Sequence, residues 1–300
     1  MKLLLQFLVI LLFFSSIADA QIQLYNSQTQ LRNMTEHWEL DTTAQRGSFV
    51  ITPYKPVYLL LGKYSSRPND QPTSQNTNPN YIVPESVNYD NVELKFQLSF
   101  KTKVLQDIVW GRADLWVAYT QKSFWQIYNS ELSRPFRETN YEPELILNFP
   151  IKFKFLGFET RMVGIAFNHL SNGKSIPLSR TSNRAIILAG FDRKNWSIYV
   201  RTWYGMSDRS GDNPDISDYT GRSDLNVIYA KNGNVFSFIG ASNMNFGSNP
   251  RGNAEFSWSY PIKNNLKGIL QISHGYGESL IDYNHSQTTV GIGVSLVEWM

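Results

Sequence analysis

The sequence predicts an all-β protein, a twelve-stranded antiparallel barrel of the kind that crosses a membrane. Three observations point there. Apolar and polar residues alternate with period 2 in segment after segment. Tight polar turns alternate with long polar loops. Beyond residue 20, no apolar run approaches the length of a spanning helix. A soluble β-sandwich alternates in the same way with one polar face, so the period alone leaves both architectures open.

The elements follow in chain order. Lys2 is a short positive start, Leu3–Phe14 is apolar except for Gln6, and Ala18-Asp19-Ala20 is a small-x-small site. Residues 1–20 therefore read as a secretory signal peptide cleaved after Ala20. An uncleaved anchor is the alternative, and the run is short for it. Residues 21–47 read as a short polar periplasmic extension, and 48–300 as the barrel. The first strand is expected at 49–62. In the second, Val92, Leu94, Phe96, Leu98 and Phe100 alternate with Glu93, Lys95, Gln97 and Ser99. Further strands are expected at 113–123, 142–155, 158–169, 183–192, 195–205, 223–231 and 234–242. The last three are the Ala254, Phe256, Trp258, Tyr260 row, a segment at 265–275, and the Val290, Ile292, Val294, Leu296 row. Asp192-Arg193-Lys194-Asn195 and Lys231-Asn232-Gly233-Asn234 read as tight turns. Residues 65–89, 207–222 and 276–287 read as long polar loops.

Composition narrows the function. With no cysteine, disulfide frameworks and thiolate metal sites are excluded. A net charge of +3 is too small to argue for nucleic acid. Aromatic residues make up 14% of the chain, which suits interfacial girdles and equally a sugar-binding sandwich.

One row carries candidate chemistry. In a strand over 158–169, Val163, Ile165, Phe167, His169 and Ser171 share a face, and Met162, Gly164, Ala166 and Asn168 share the other. A histidine two residues from a serine places a general base beside a potential nucleophile. On a soluble protein that apolar row would be core; on a membrane barrel it would face lipid. His-x-Ser alone is a weak signal. No G-x-S-x-G elbow, H-E-x-x-H zinc site or phosphate-binding glycine loop competes with it.

The whole block is more specific. Asn168-His169-Leu170-Ser171-Asn172-Gly173, followed by Ser179, Arg180, Asn183 and Arg184, resembles the active-site strand and loop of the outer-membrane phospholipase A family. Three further blocks are similar to that family: Tyr119-Thr120-Gln121-Lys122-Ser123 through Ser133-Arg134-Pro135-Phe136-Arg137 to Pro143; Asp212-Asn213-Pro214-Asp215-Ile216; and Tyr276-Gly277-Glu278-Ser279-Leu280-Ile281-Asp282-Tyr283-Asn284. They span most of the chain after the signal peptide.

The resemblance implies a twelve-stranded outer-membrane barrel that hydrolyses acyl esters of glycerophospholipids and lysophospholipids, with phospholipase A1 and A2 activity. It implies Ser171 as nucleophile, His169 as base, Asn183 as the group orienting the base, and the Gly173 amide as an oxyanion donor. It also implies a calcium ion between two subunits of a homodimer. Ser179 and the Lys174 carbonyl match the ligands from one chain, Ser133 matches the ligand from the other, and Gln121 matches a polar residue of the dimer interface. From its sequence position alone, Gln121 could also face the lumen. Three positions depart from the pattern. Lys174 stands where Arg is frequent. Ile176 stands where many members carry an Asp able to hold calcium in the monomer, so little calcium binding by a monomer is expected. Met300 ends the chain where an aromatic residue is common, although Trp299 precedes it. The competing classes are a non-enzymatic barrel, porin or adhesin, and a soluble secreted lipase.

Overall fold

A computed structural model of the chain describes residues 33–297, apart from 207–210, 246 and 248. The expected signal peptide at 1–20, Trp299 and Met300 lie outside the described residues. Thirteen strand segments form one antiparallel sheet. They are β1 (Ile51–Pro53), β2 (Val57–Ser65), β3 (Val92–Asp107), β4 (Ala113–Trp125), β5 (Phe136–Phe155), β6 (Phe158–Ser171), β7 (Thr181–Arg193), β8 (Trp196–Gly205), β9 (Ser223–Lys231), β10 (Asn234–Ser242), β11 (Gly252–Lys263), β12 (Leu266–Tyr276) and β13 (Ser286–Val297).

Twelve staves close the barrel, as the sequence predicts. From β2 onward each strand pairs with its neighbour in the chain, and β13 pairs with β2. The thirteenth segment is not an extra stave. β1 pairs with β3 at Phe100–Thr102, on the edge that β2 occupies at Val92–Gln97. β1 therefore continues the line of β2 across a break at Tyr54-Lys55-Pro56. Pro53 and Pro56 lack the N–H that an unbroken ladder needs. The closing seam is tight. A Cβ on Gly293 would lie 2.0 Å from the Leu59 carbonyl oxygen, so only glycine lets β13 approach β2 there.

The burial pattern separates the barrel from a sandwich. Along β3 the polar row is the buried one: Lys95 is 1% exposed and Lys103 is 0% exposed, while Leu98 is 48% exposed. On β6 and β7, Phe167 is 56% and Ile187 64% exposed. A soluble protein would bury these side chains, whereas hydrocarbon is the solvent that favours them outside.

Part of the lumen is filled with paired charge. Arg137 bridges Glu93 and Asp282, at 2.9 Å each, and Lys63 lies 3.0 Å from Glu93. Lys55 pairs with Glu142 at 2.8 Å, and Lys103 with Asp114 at 2.9 Å. Asp282 and Glu278 come from the loop between β12 and β13, so that loop is tied down into the barrel mouth. Burial pushes Glu278 up, but Lys95 at 2.8 Å outweighs it and holds the carboxyl well below the usual carboxylate range.

The opposite mouth is filled from the segment expected as an extension. Of that segment, residues 33–47 are described. Helix α1 (Met34–Trp38) is capped by Asn33, whose side chain accepts from the Glu36 amide. Met34 and Trp38 are buried. The Trp38 Nε1–H donates to Tyr199 Oη at 2.9 Å, and its ring meets Tyr54 and Trp116 edge-on. Glu39 reaches Lys103 at 3.1 Å.

Connections at the α1 end are tight: Leu156-Gly157, Lys194-Asn195, Asn232-Gly233 and Asn264-Asn265. Asn232 and Gly233 both have positive φ, as a two-residue hairpin turn requires. The long connections all lie at the other end: 66–91, 126–135, 172–180, 206–222, 243–251 and 277–285.

Removing one member of a buried charge cluster leaves a partner charge uncompensated. Arg137→Ala, which takes from Asp282 its ion-pair partner and leaves Glu93 to Lys63, is expected to destabilise the barrel by about 3–5 kcal/mol. Urea unfolding in detergent, followed by tryptophan fluorescence, measures this. A loss below about 1 kcal/mol would mean that the cluster contributes only as an exposed pair does.

Candidate active site

β6 carries the site because its pleat puts every second residue outside. Met162, Ala166 and Asn168 are buried, while Val163, Ile165, Phe167 and His169 are exposed. Ser171 ends the strand on the same face and is half-buried. On the next stave, Asn183 pairs in register with His169. The side chains meet: His169 Nδ1 lies 2.6 Å from Asn183 Oδ1. An amide oxygen only accepts, so Nδ1–H donates, and Nε2 is left with its lone pair free to take a proton. His169 and Ser171, at i and i+2, project from the same face.

The loop after Ser171 is folded by Asn172. Its side chain turns inward, donates to the Leu178 carbonyl at 2.8 Å, and accepts from the Arg180 amide at 3.0 Å. The backbone closes the same loop, with the Asn172 amide donating to the Arg180 carbonyl at 3.2 Å. This leaves Gly173 exposed at φ +64, a conformation that suits glycine. A Cβ there would sit 3.3 Å from the Tyr141 ring.

The remaining candidates fall in three places. The Lys174 ammonium donates to the Arg137 carbonyl at 2.5 Å and lies 3.5 Å from Glu138. Ser179 Oγ donates to Asp212 Oδ2 at 2.6 Å. Ser133 lies apart in the β4–β5 loop, where its amide donates to the Ser130 carbonyl. Among the described residues, no hydrogen bond joins it to the 172–180 loop. Gln121 is on β4, outside: it alternates with the buried Thr120 and shares a face with the exposed Val117. The lumen-facing alternative is thereby excluded. Its amide already accepts from Tyr119 Oη at 3.1 Å and donates to Ser123 Oγ at 3.2 Å, leaving one N–H and one lone pair. Registers place it in a row. Gln121 pairs with Tyr141, and Tyr141 pairs with Ser171. Gln121 is thus two staves, about 10 Å, from Ser171.

Asp212 is the group that sequence reading missed. It lies in a block similar to the family, but 33 residues separate it from Ser179, and no spacing rule links them. Ser179 Oγ beside the Asp212 carboxylate offers oxygen donors with one acid, the chemistry that suits a hard cation such as calcium. A carboxylate thus stands beside Ser179, although position 176 carries none. Among the described residues, no cluster of three His, Cys, Asp or Glu could hold a metal.

Wall and row together define a class of protein: a membrane-type β-barrel with a hydrolase-like side-chain constellation on its outer surface. Comparison with known proteins agrees. The profile of the phospholipase A1 family matches residues 34–296. A putative phospholipase A1 from Neisseria meningitidis is 40% identical over 267 residues, covering 86% of this chain and 68% of its own. Phospholipase A1 from Escherichia coli K12 is 41% identical over 248 residues, covering 83% and 82%. Among solved structures, outer membrane phospholipase A from Escherichia coli superimposes with a TM-score of 0.74 at 38% identity, covering 83% of this chain and 95% of that one. The calcium-bound dimer of the Salmonella typhi outer membrane phospholipase gives 0.77 at 37% identity, covering 90% and 100%. The chain belongs to the phospholipase A1 family.

A side chain at Gly173 would force the loop to move. Gly173→Ala is expected to leave a folded barrel and lower ester hydrolysis on the order of 10²-fold, the effect of misplacing a catalytic group by about 1 Å. Turnover of a chromogenic ester by refolded protein measures this, and near-full activity would remove Gly173 from the site.

Proposed function

We propose that the protein is a calcium-dependent phospholipase of the bacterial outer membrane, active as a homodimer on the acyl esters of glycerophospholipids and lysophospholipids. The observation that carries this reading is the 2.6 Å His169–Asn183 contact, beside Ser171, on the exposed apolar wall. A nucleophile in that position would meet an ester without drawing lipid into a pocket.

Ser171 Oγ attacks the ester carbonyl while His169 Nε2 takes its proton. The charge that develops on the carbonyl oxygen is met by the Gly173 amide. His169 then returns the proton to the leaving alkoxide, releasing lysophospholipid or a deacylated product, and water repeats the sequence on the acyl-serine. Asn183 holds the imidazole in the reactive tautomer. Being neutral, it stabilises the imidazolium less than an aspartate would. Calcium, held by Ser179, the Lys174 carbonyl and Asp212, would supply positive charge and ordered water near the oxyanion. In a dimer formed through the Gln121 face, Ser133 of one subunit completes the site of the other. A lone barrel surrounded by substrate would then stay idle.

Ser171→Ala is expected to abolish hydrolysis while the barrel folds, and a sulfonyl fluoride is expected to label Ser171 in the unaltered protein. His169→Ala should lose a similar amount because the residues act as a unit, and Asn183→Ala should lose less. Retention of most turnover in Ser171→Ala would overturn the mechanism.

The shared site makes a separate prediction. Chelation should stop activity and calcium should restore it. Ser171→Ala and Ser133→Ala proteins, each inactive alone, should regain partial activity when mixed, because one mixed site keeps both its nucleophile and its trans ligand. Mixed dimers that form and stay inactive would refute the trans contribution.

A further inference from the structure

The long loop between β2 and β3 (66–91) crosses to the calcium-ligand candidates, and its contacts converge on Asp212. Tyr81 Oη donates to Asp212 Oδ1 at 2.6 Å, while Ser179 Oγ donates to Oδ2 at 2.6 Å. Ser74 Oγ donates to the Asp212 carbonyl at 2.5 Å, and Asn76 Nδ2 to the Gly211 carbonyl at 2.8 Å. One donor on each carboxylate oxygen fixes the plane of the group, and the remaining lone pairs stay available to a cation.

Both sides of this contact are anchored. Tyr81 ends a single 3-10 turn (Pro79–Tyr81) capped by Asn78, whose side chain accepts from the Asn80 amide at 3.0 Å. The loop is tied to the site by Arg180, which donates to the Thr73 carbonyl at 3.1 Å. On the other side, Asn213 clamps the first residue of β7. It accepts from the Thr181 amide at 2.8 Å and donates to the Thr181 carbonyl at 2.7 Å. The backbone of Asp212 is therefore held next to Ser179, and the torsion of its carboxylate is set by Tyr81 together with Ser179.

We propose that Tyr81 is a positioning residue: it orients the Asp212 carboxylate beside Ser179, so the β2–β3 loop sets the calcium affinity of the site. This rests on the calcium reading above. A carboxylate locked in its binding orientation loses less freedom on taking up a cation, and binding is tighter for that reason.

The test titrates calcium into the refolded full-length chain in micelles, read by calorimetry and by the monomer–dimer equilibrium in the ultracentrifuge. Tyr81→Phe, which removes one hydroxyl and keeps the ring, is expected to raise the calcium midpoint about tenfold, as loss of one charge-assisted hydrogen bond would. At saturating calcium the rate of sulfonyl fluoride labelling should reach the same plateau. Asp212→Asn should weaken binding further. Gln71→Ala is the control, because its side chain donates to the Val83 carbonyl within the same loop. If Gln71→Ala shifts the midpoint as much as Tyr81→Phe does, loop order is the cause and the proposal fails. If Asp212→Asn weakens binding and Tyr81→Phe does not, the role of Tyr81 is refuted and the calcium reading stands. If neither variant alters binding, the assignment of calcium to this carboxylate falls as well.

Discussion

A backbone amide facing hydrocarbon has no water to bond with, so a sheet that enters a membrane must return each edge to itself. Here the return is the β13–β2 seam. It tolerates two register shifts and relies on Gly293 to bring the strands together. Closure sends one face of every strand inward and the other outward, and the remaining architecture follows from that division. The enclosed face holds an apolar cluster that includes Met34, Trp38, Trp116, Ile146 and Met162, and beside it Lys–Glu, Lys–Asp and Arg–Asp clusters neutralised in place. Loop residues such as Asp282 and Glu278, and Glu39 from the segment after α1, complete those clusters from the two ends.

The same division puts the candidate chemistry on the wall. In a soluble hydrolase, a serine and its base lie in a cleft to which substrate must diffuse. Here the pleat of β6 sets His169 and Ser171 at the end of an apolar row, and the neighbouring stave supplies Asn183 at the same register position. Precision comes from the β-ladder rather than from a pocket. The loop that follows owes its shape to one inward-turned side chain, Asn172.

Much of this was legible in the sequence, because strand period is a local property. Alternation over Val92–Phe100 needs no tertiary information to be read, and neither does the Asn232-Gly233 turn. The placement of His169 and Ser171 followed from counting by two. The break at Pro53 and Pro56 was not foreseen within the expected 49–62 strand, although the prolines were in view. What stayed hidden depends on contacts distant in sequence. α1 is too short to show an amphipathic period, and its partners Tyr199 and Trp116 lie on separate strands. Asp212 reaches Ser179 only because two loops meet, and Tyr81 reaches Asp212 only because a third crosses them.

The row running from Gln121 through Tyr141 to Ser171 crosses three staves in register, near the loop end of the wall. Below it lie Phe167, Ile165 and Val163; above it the chain turns into the polar 172–180 loop. The belt of apolar side chains fixes how high the barrel rides in a bilayer. On the proposed reading, the altitude of Ser171 then acts as a selector. The bond presented for attack is then chosen by depth of immersion rather than by the shape of a cavity.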